Sequence, residues 1–242
     1  MCVRRVIASA VIAVVASGCG TAPETPPSAS PPPAASPSPR PAAMASSAVP
    51  VMTTPVTART VPSPAVRFSD GWEITVYYTA VERFHDGEPV PVTGCPSLVC
   101  TSGGRDLGEF PADFVNAVRE EGTGLTVSGR YLNWSYDVGF WLDSAPRASD
   151  GGVLVPFVSA AADTDVLPAG TAFTIADCGR PEDVTPAVCA RLRAAAWRIS
   201  DEFTPGLGGA RHIDAYIGPE TGPGFTDSEW FTTLAGARLL LG

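Results

Sequence analysis

The chain has 242 residues, with 16 Lys and Arg residues against 25 Asp and Glu residues, and a formal net charge of −9 at pH 7. None of the basic residues is a lysine. This acidic balance disfavours nucleic acid as a partner, because binding to phosphate groups requires a basic surface.

The first eighteen residues have the pattern of a secretory signal peptide. Two arginines precede an apolar run over residues 6–17, which is shorter than the ~20 residues that a membrane-spanning helix needs. The run ends in Ala16-Ser17-Gly18-Cys19, which resembles a lipobox. The resemblance implies cleavage before Cys19 and lipid on its thiol, which would anchor the protein at the extracytoplasmic face of the cell membrane. Ordinary secretory cleavage that leaves Cys19 as a free thiol is the alternative.

Residues 19–66 are predicted to form a lipidated N-terminus and a disordered tether. They consist almost entirely of Pro, Ala, Ser, Thr and Val, they contain about half of the 25 prolines, and no aromatic residue precedes Phe68. Without large side chains to bury, such a segment cannot offset the entropy lost on ordering. Its extended reach is on the order of 100 Å. Residues 67–242 are then a single globular domain.

The first half of this domain is predicted to consist mainly of short strands. Alternating residues from Trp72 to Val81 indicate a strand, and a loop rich in proline and glycine follows it. Pro111-Ala112-Asp113 opens a helix that Gly122 and Gly124 stop. Two short aromatic strands are predicted within residues 125–142, and a buried strand at residues 153–160.

The second half continues the same pattern. Strands are predicted at residues 172–176, 197–199, 213–217 and 238–241. Thr185-Pro186 begins a helix that runs to about residue 196, because proline fits the first helical position. A short helix is predicted at residues 227–234. Together these elements predict a mainly β fold with short helical inserts, arranged as a small closed or partly closed barrel.

Four cysteines remain in the domain: Cys95, Cys100, Cys178 and Cys189. An exported compartment is oxidising, so an even number of cysteines predicts disulfides, for which three connectivities exist. The local pairs Cys95–Cys100 and Cys178–Cys189 are favoured because each closes a short loop. Zinc is the alternative, although neither spacing is the two-residue gap that is typical of zinc knuckles.

Three stretches near the C-terminal end resemble the three-aspartate domain family. Residues 163–171 (DTDVLPAGT) are similar to the family pattern Asp-Pro-x-Val-Ile-Pro-x-Gly-Thr, residues 200–209 to Asp-Thr-Gly-Gly, and residues 211–218 to Arg-Ile-Asp-Leu-Tyr-Phe-Gly. The resemblance implies a double-psi β-barrel with an insertion around residues 84–158. It places Asp163 and Asp214 at the first and third aspartate positions.

The middle aspartate position is open. The family spacing, counted back from Asp214, falls on Phe203, whereas Asp201 fills the position if residues 203–209 include two inserted residues. The family includes membrane-bound lytic transglycosylases, in which the residue at the position of Asp214 is the catalytic acid. The resemblance therefore implies Asp214, Asp201 and Asp163 as catalytic residues. A carboxylate cluster would raise the pKa of the acid so that it starts protonated, and a two-carboxylate hydrolase is also compatible with such a cluster.

Each aspartate also has a purely structural interpretation. An aspartate before a turn, such as Asp163, commonly caps backbone amides. Asp214 lies in a predicted strand, where pairing with Arg211 or Arg198 would explain a buried charge. Asp201 precedes a glycine-rich region, and a purely structural role is the favoured interpretation for it.

Other residues are secondary candidates. His212 is two residues from Asp214, so the two side chains share a strand face and His212 is a possible helper. The two histidines are too few and too far apart to predict a metal site, and no cofactor motif is present. Glu120-Glu121 at a helix end indicates a solvated surface. Four aromatic residues would either stack on sugar rings or form core: Tyr131, Trp134, Tyr136 and Trp141.

The sequence thus predicts a cell-envelope lipoprotein that acts on peptidoglycan or another cell-wall glycan. The expected reaction is glycosidic-bond cleavage of the lytic transglycosylase type, with Asp214 as general acid and base and no cofactor. The alternative is a non-catalytic cell-wall-binding or scaffolding lipoprotein. An enzyme needs a carboxylate cluster that faces an open groove, whereas a binding module needs only the groove.

Overall fold

A computed structural model describes residues 67–101, 103–180, 182 and 184–242, which belong to one unit. The predicted signal peptide, Cys19 and the tether lie outside the described residues. Within these ranges, no helix is both long enough and apolar enough to cross a membrane.

The described chain contains eleven strands and two α-helices. The first part contains β1 (Arg67–Val81), β2 (Pro89–Gly94), β3 (Arg105–Pro111), α1 (Ala112–Glu121), β4 (Thr123–Leu125), β5 (Tyr131–Ser135) and β6 (Gly139–Asp143). The second part contains β7 (Ser159–Ala161), β8 (Ala172–Asp177), α2 (Pro186–Arg193), β9 (Trp197–Asp201), β10 (His212–Pro219) and β11 (Leu234–Leu241).

Six of the strands close into a mixed barrel. The order around the barrel is β1, β10, β7, β9, β8 and β11, and β11 pairs with β1 to complete the ring. The pairs β1–β10 and β7–β9 are parallel, and the other four pairs are antiparallel. In chain order the barrel strands are β1, β7, β8, β9, β10 and β11. Exchanging β1, β7 and β8 for β9, β10 and β11, respectively, reproduces the same neighbours and interchanges the two parallel pairs. This internal twofold topology is that of a double-psi β-barrel, and the predicted fold class is confirmed.

The barrel strands separate an apolar interior from a polar outer face. Because side chains alternate along a strand, Ile213 and Ala215 of β10 join the core while Asp214 points outward. On β1, Ile74 and Val76 join the same core, which also takes in large side chains of β9 and β11. The candidate catalytic residues therefore lie outside the barrel core and line a cleft on its outer face.

Residues 82–158 connect β1 to β7 and supply a second layer next to that outer face. They contain the β2–β3 hairpin, α1, and strands β4 to β6, which extend the sheet from the far end of β1. The predicted helix after Pro111 is confirmed. It ends where Gly122 takes a left-handed φ of 83° and its N–H donates to the Val118 carbonyl at 2.9 Å, a conformation that glycine adopts without strain.

Three predictions of local structure were wrong. The expected proline- and glycine-rich loop includes the β2–β3 hairpin, a separate two-stranded sheet in which prolines are tolerated at exposed edges. Residues 153–158 do not form a regular strand, since Phe157 takes a positive φ of 59° and only Ser159–Ala161 pairs as β7. The helix predicted at residues 227–234 is a single 3-10 turn, Phe225–Asp227.

Both favoured disulfides are confirmed. Cys95 and Cys100 are bonded with their Cα atoms 5.5 Å apart, and Cys178 and Cys189 with theirs 6.1 Å apart. All four sulfurs are therefore used in disulfides, which rules out the zinc alternative.

Candidate active site

The three candidate aspartates line one open cleft on the outer face of the barrel. The cleft has a volume of about 460 Å³. It is lined by Asp163, Asp201 and Asp214 and by residues from the end of α1 and from the β5–β6 hairpin. The tertiary fold thus brings together three aspartates that are up to 51 positions apart in the chain.

The strand register places Asp201 and Asp214 on either side of one small residue. Asp214 of β10 lies opposite Ala161 of β7, and Ala161 lies opposite Asp201 of β9. Since neighbouring strands are ~4.7–4.9 Å apart, the two aspartate Cα atoms are roughly 10 Å apart. The methyl side chain of Ala161 leaves room for both carboxyl groups above it. Asp163 enters the cleft two residues after β7 ends.

Asp214 has the properties of an acid that is protonated near neutral pH. Burial raises the pKa of its carboxyl group from 3.8 to about 7, and the charge on Asp201 adds to the rise, while hydrogen bonds from Thr75 and the Ala215 backbone oppose it. Its Oδ1 is buried and has no hydrogen-bond partner among the described residues. An unpaired buried oxygen is costly when charged, so the protonated form is favoured.

The arginines proposed as structural partners of Asp214 bind elsewhere. The Arg198 Nη1 donates to the Gly170 carbonyl at 2.8 Å, and the Arg211 Nη1 donates to the Asp70 carbonyl. Neither forms an ion pair with Asp214 in the described part of the chain. The structural interpretation of Asp214 as half of such a pair is therefore wrong.

Asp201 is held in place by three donors. Its Oδ1 accepts the backbone N–H groups of Ser149 and Glu202, both at 2.9 Å, and its Oδ2 accepts the Tyr77 hydroxyl at 3.2 Å. Burial raises the pKa of Asp201, and these hydrogen bonds act against the rise. Burial, followed by the charges of Asp201 and Asp214, also raises the pKa of Tyr77 well above its usual value, so Tyr77 stays a neutral donor. Asp201 is thus a fixed carboxyl group whose charge acts on Asp214.

Asp163 presents its carboxylate to the cleft instead of using it to cap the turn. Its backbone carbonyl accepts the Val166 and Leu167 N–H groups at 2.9 and 3.0 Å. The carboxylate packs against the backbone of Gly208, where any side chain would overlap it. Residues 203–209 thus close over Asp163 and depend on glycine at that contact.

His212 shares the cleft with Asp214, as the two-residue spacing predicted. Its Nε2 lies 2.9 Å from the Thr75 hydroxyl, and its ring lies against that of Phe203 with centroids 4.6 Å apart. A helper role stays a prediction. Across residues 67–242, apart from the three positions not described, no group of three or more His, Cys, Asp or Glu residues could hold a metal ion.

The four aromatic candidates divide between cleft and core. Trp134 and Tyr136 line the cleft, and Tyr136 is 65% exposed in the turn between β5 and β6. Trp141 is 1% exposed and packs beneath the Cys95–Cys100 disulfide. Tyr131 is partly buried outside the cleft lining. Two of the four aromatic residues thus line the cleft.

Glu121, like Tyr77, is a cleft residue that the sequence analysis missed. It was predicted to be solvated, and this was wrong, because its carboxyl group lines the cleft and its Oε2 accepts the Tyr78 backbone N–H at 3.2 Å. Burial raises the pKa of Glu121 to about 8, with the charge on Asp214 as the next cause. No local signal separates it from Glu120, which is exposed.

No protein-family profile matches the sequence, and no curated protein matches it significantly. Solved structures do resemble it. E. coli MltA with bound chitohexaose is 14% identical at a TM-score of 0.47, over 70% of this chain and 71% of that chain. A membrane-bound lytic murein transglycosylase from Agrobacterium tumefaciens is 11% identical at a TM-score of 0.42, over 70% and 73%. The lytic transglycosylase LtgG of Burkholderia pseudomallei is 15% identical at a TM-score of 0.38, over 71% and 72%. At these identities and TM-scores, the comparisons assign no role to any residue. Roles have to be inferred from the burial and the hydrogen bonds of the carboxyl groups in the cleft.

Proposed function

We propose that this protein is a peptidoglycan lytic transglycosylase, with Asp214 as general acid and base and with lipid on Cys19 holding it at the cell membrane. The observation that carries the proposal is the state of Asp214 in an open cleft. Its Oδ1 is buried without a partner, and its pKa of about 7 makes it able to give and take a proton near neutral pH. The three stretches that resemble the three-aspartate family support the same residue.

The reaction needs one such group. Protonated Asp214 donates its proton to the glycosidic oxygen as the bond from that oxygen to the anomeric carbon breaks. The 6-hydroxyl of the same sugar then attacks the anomeric carbon, and the Asp214 carboxylate takes the hydroxyl proton. One bond is broken and one is formed, no water is consumed, and Asp214 ends protonated as it began.

Asp201 and Tyr77 have supporting roles in this proposal. The charge on Asp201 raises the pKa of Asp214, so it keeps the acid protonated before the reaction. The same charge stabilises the positive charge that develops on the sugar ring when the glycosidic bond breaks. The Tyr77 hydroxyl fixes the orientation of the Asp201 carboxylate.

The test is the product that the full-length protein makes from purified peptidoglycan. We expect mass spectrometry to detect 1,6-anhydro muropeptides, and Asp214→Asn to lower their rate of formation by at least ~100-fold, the lower bound for loss of a general acid–base group. Asp227→Asn, at an exposed position outside the cleft lining, is the matched control and should keep the wild-type rate.

Three other outcomes would each overturn part of the proposal. Products with free reducing ends and no anhydro ring would show that water is the nucleophile and that the protein is a hydrolase. Wild-type rates in Asp214→Asn would remove Asp214 from the reaction. Absence of any product, with the protein still pelleting alongside the wall, would leave a non-catalytic wall-binding module.

A further inference from the structure

Glu121 is the last residue of α1 and faces the aspartates from the insertion side of the cleft. The helix ends there because Gly122 turns the chain into β4. Since β4 pairs with β1, the end of α1 is fixed relative to the barrel. The position of Glu121 is therefore set by the fold and not by a flexible loop.

One carboxyl oxygen of Glu121 is anchored and the other is free. The pairing of β1 with β10 shifts register between Tyr77 and Thr79, and at this irregularity the Glu121 Oε2 accepts the Tyr78 N–H at 3.2 Å. The Oε1 has no hydrogen-bond partner among the described residues and is not sealed from solvent. Such an arrangement leaves one oxygen available to a ligand in the cleft.

The groups around Glu121 favour its neutral form. Asp214 and Glu220 face it from β10 and the residue that follows, Glu120 from its own helix, and the Tyr78 phenol from β1. No cation pairs with it in the described part of the chain. Burial and the three acidic neighbours raise the pKa of Glu121, and the Tyr78 N–H opposes the rise. A neutral carboxyl group carries an O–H that can donate a hydrogen bond, as a carboxylate cannot.

We propose that Glu121 is a positioning residue, whose neutral carboxyl group donates a hydrogen bond from Oε1 to a hydroxyl or acetamido carbonyl oxygen of the glycan and holds the sugar against Asp214. This inference rests on the proposed function, because it assigns Glu121 a role in the same reaction. Asp214 approaches the sugar from the barrel side and Glu121 from the insertion side. The insertion thus supplies a polar contact that the barrel by itself lacks.

The test compares Glu121→Gln with Glu121→Ala in the full-length protein from pH 5 to pH 9. Glutamine keeps an oxygen for the Tyr78 N–H and an N–H₂ donor for the glycan at every pH, whereas alanine keeps neither. At pH 6, we expect Glu121→Ala to lower kcat/KM for anhydro product formation about tenfold, and Glu121→Gln to restore it. Glu109→Gln, on the exposed side of β3, is the control.

The decisive measurement is the alkaline limb of the pH profile. In the wild type, ionisation of Asp214 and then of Glu121 lowers the rate, so above pH 8 the rate should fall with a slope steeper than −1. In Glu121→Gln, only Asp214 titrates and the slope should be −1. Relative to its own rate at pH 6, the glutamine variant should be about fivefold more active than the wild type at pH 9. If Glu121 only accepted the Tyr78 N–H, the alkaline part of the pH profile would be the same in the wild type and in Glu121→Gln.

The outcomes separate this inference from the proposed function. Equal pH profiles for the wild type and Glu121→Gln, with Asp214→Asn inactive, would overturn the role of Glu121 and leave the transglycosylase intact. If the wild type forms no product, the same proteins are compared for pelleting with the wall. Binding that weakens from pH 7 to 9 in the wild type but not in Glu121→Gln would support the hydrogen bond, and equal binding would overturn it.

Discussion

Two groups of acidic side chains lie near the two ends of β10 and behave in opposite ways. Asp214, inside β10, belongs to the cleft, while Glu220 follows the last residue of β10 and belongs to a second cluster with His85 and Asp113. In the first group an oxygen is left unpaired. In the second group the acids are paired with donors.

The acids of the second cluster are satisfied by hydrogen bonds within that cluster. The Glu220 side chain is 3% exposed, and its Oε1 accepts the Val81 N–H at 2.5 Å and lies 2.8 Å from the His85 Nε2. The His85 Nδ1 lies 3.1 Å from the Asp113 Oδ2, and the Gly87 N–H donates to the Asp113 Oδ1 at 2.9 Å. Partial burial raises the pKa of Asp113, but the Gly87 and His85 contacts outweigh it and lower the pKa.

The comparison shows how the candidate acid Asp214 differs from acids whose charged form is satisfied by hydrogen bonds. Both clusters contain acids that accept backbone N–H groups, so neither acidic residues nor such hydrogen bonds distinguish the cleft from the second cluster. What differs is whether the surroundings satisfy the charged form, as at Asp113, or leave a buried oxygen unpaired and disfavour charge, as at Asp214.

The largest expected effect breaks the second cluster. Glu220→Ala leaves the Val81 N–H and the His85 Nε2 without the carboxylate that they contact. We expect the free energy of unfolding to fall by about 2–4 kcal/mol. Urea unfolding at pH 7 measures it, with the exposed Glu88→Ala as a control that should change stability by less than about 0.5 kcal/mol. A loss from Glu220→Ala as small as that of the control would show that the second cluster contributes little to stability.

A second prediction uses the opposite signs of the two pKa shifts. The pKa of Asp214 is raised from 3.8 to about 7 by burial, so the folded state binds the proton more tightly and stability declines as pH rises from about 4 to 7. Asp214→Asn removes the contribution of this carboxyl group. The loss of unfolding free energy from pH 5 to pH 8 should therefore be smaller in the variant than in the wild type by about 2–3 kcal/mol. Asp113→Asn should leave this pH 5 to pH 8 difference unchanged and should act only below about pH 4. The lowered pKa of Asp113 gives stability that is present above its unfolded pKa of 3.8 and is lost as the pH falls through its folded pKa. Parallel pH curves for Asp214→Asn and the wild type would contradict the raised pKa.

The smallest expected effect concerns an exposed side chain at the rim of the cleft. Tyr136→Ala removes a ring that can stack on a sugar, and should weaken glycan binding by about 0.5–1.5 kcal/mol with stability unchanged. Binding is measured with peptidoglycan in a pelleting assay. Phe68 is equally exposed, at 65%, and lies outside the cleft lining, so Phe68→Ala should bind normally. Equal affinity for both variants and the wild type would exclude stacking on Tyr136.

Some parts of the site could be predicted from the sequence, and others could not. The motif-like stretches predicted Asp163 and Asp214, but a place for Asp201 depended on the length of the loop at residues 203–209. Strand pairing brings Asp201 close to Asp214, because Asp201 lies opposite Ala161 and Ala161 lies opposite Asp214. Glu121 carried no signal, because its burial comes from packing of the insertion against a strand about 40 residues earlier in the chain.

The sequence by itself determined what depends on neighbouring residues. Thr185 caps α2, with its hydroxyl accepting the Val188 N–H at 3.3 Å and proline next to it, Gly122 ends α1, and the cysteine spacing identified both local disulfides. Only the tertiary structure decided which acids meet, which oxygen stays unpaired, and which of two adjacent glutamates is partly buried. The physical reason is that ionisation depends on burial and on partners from distant strands, and these are set when the barrel closes and the insertion packs against it.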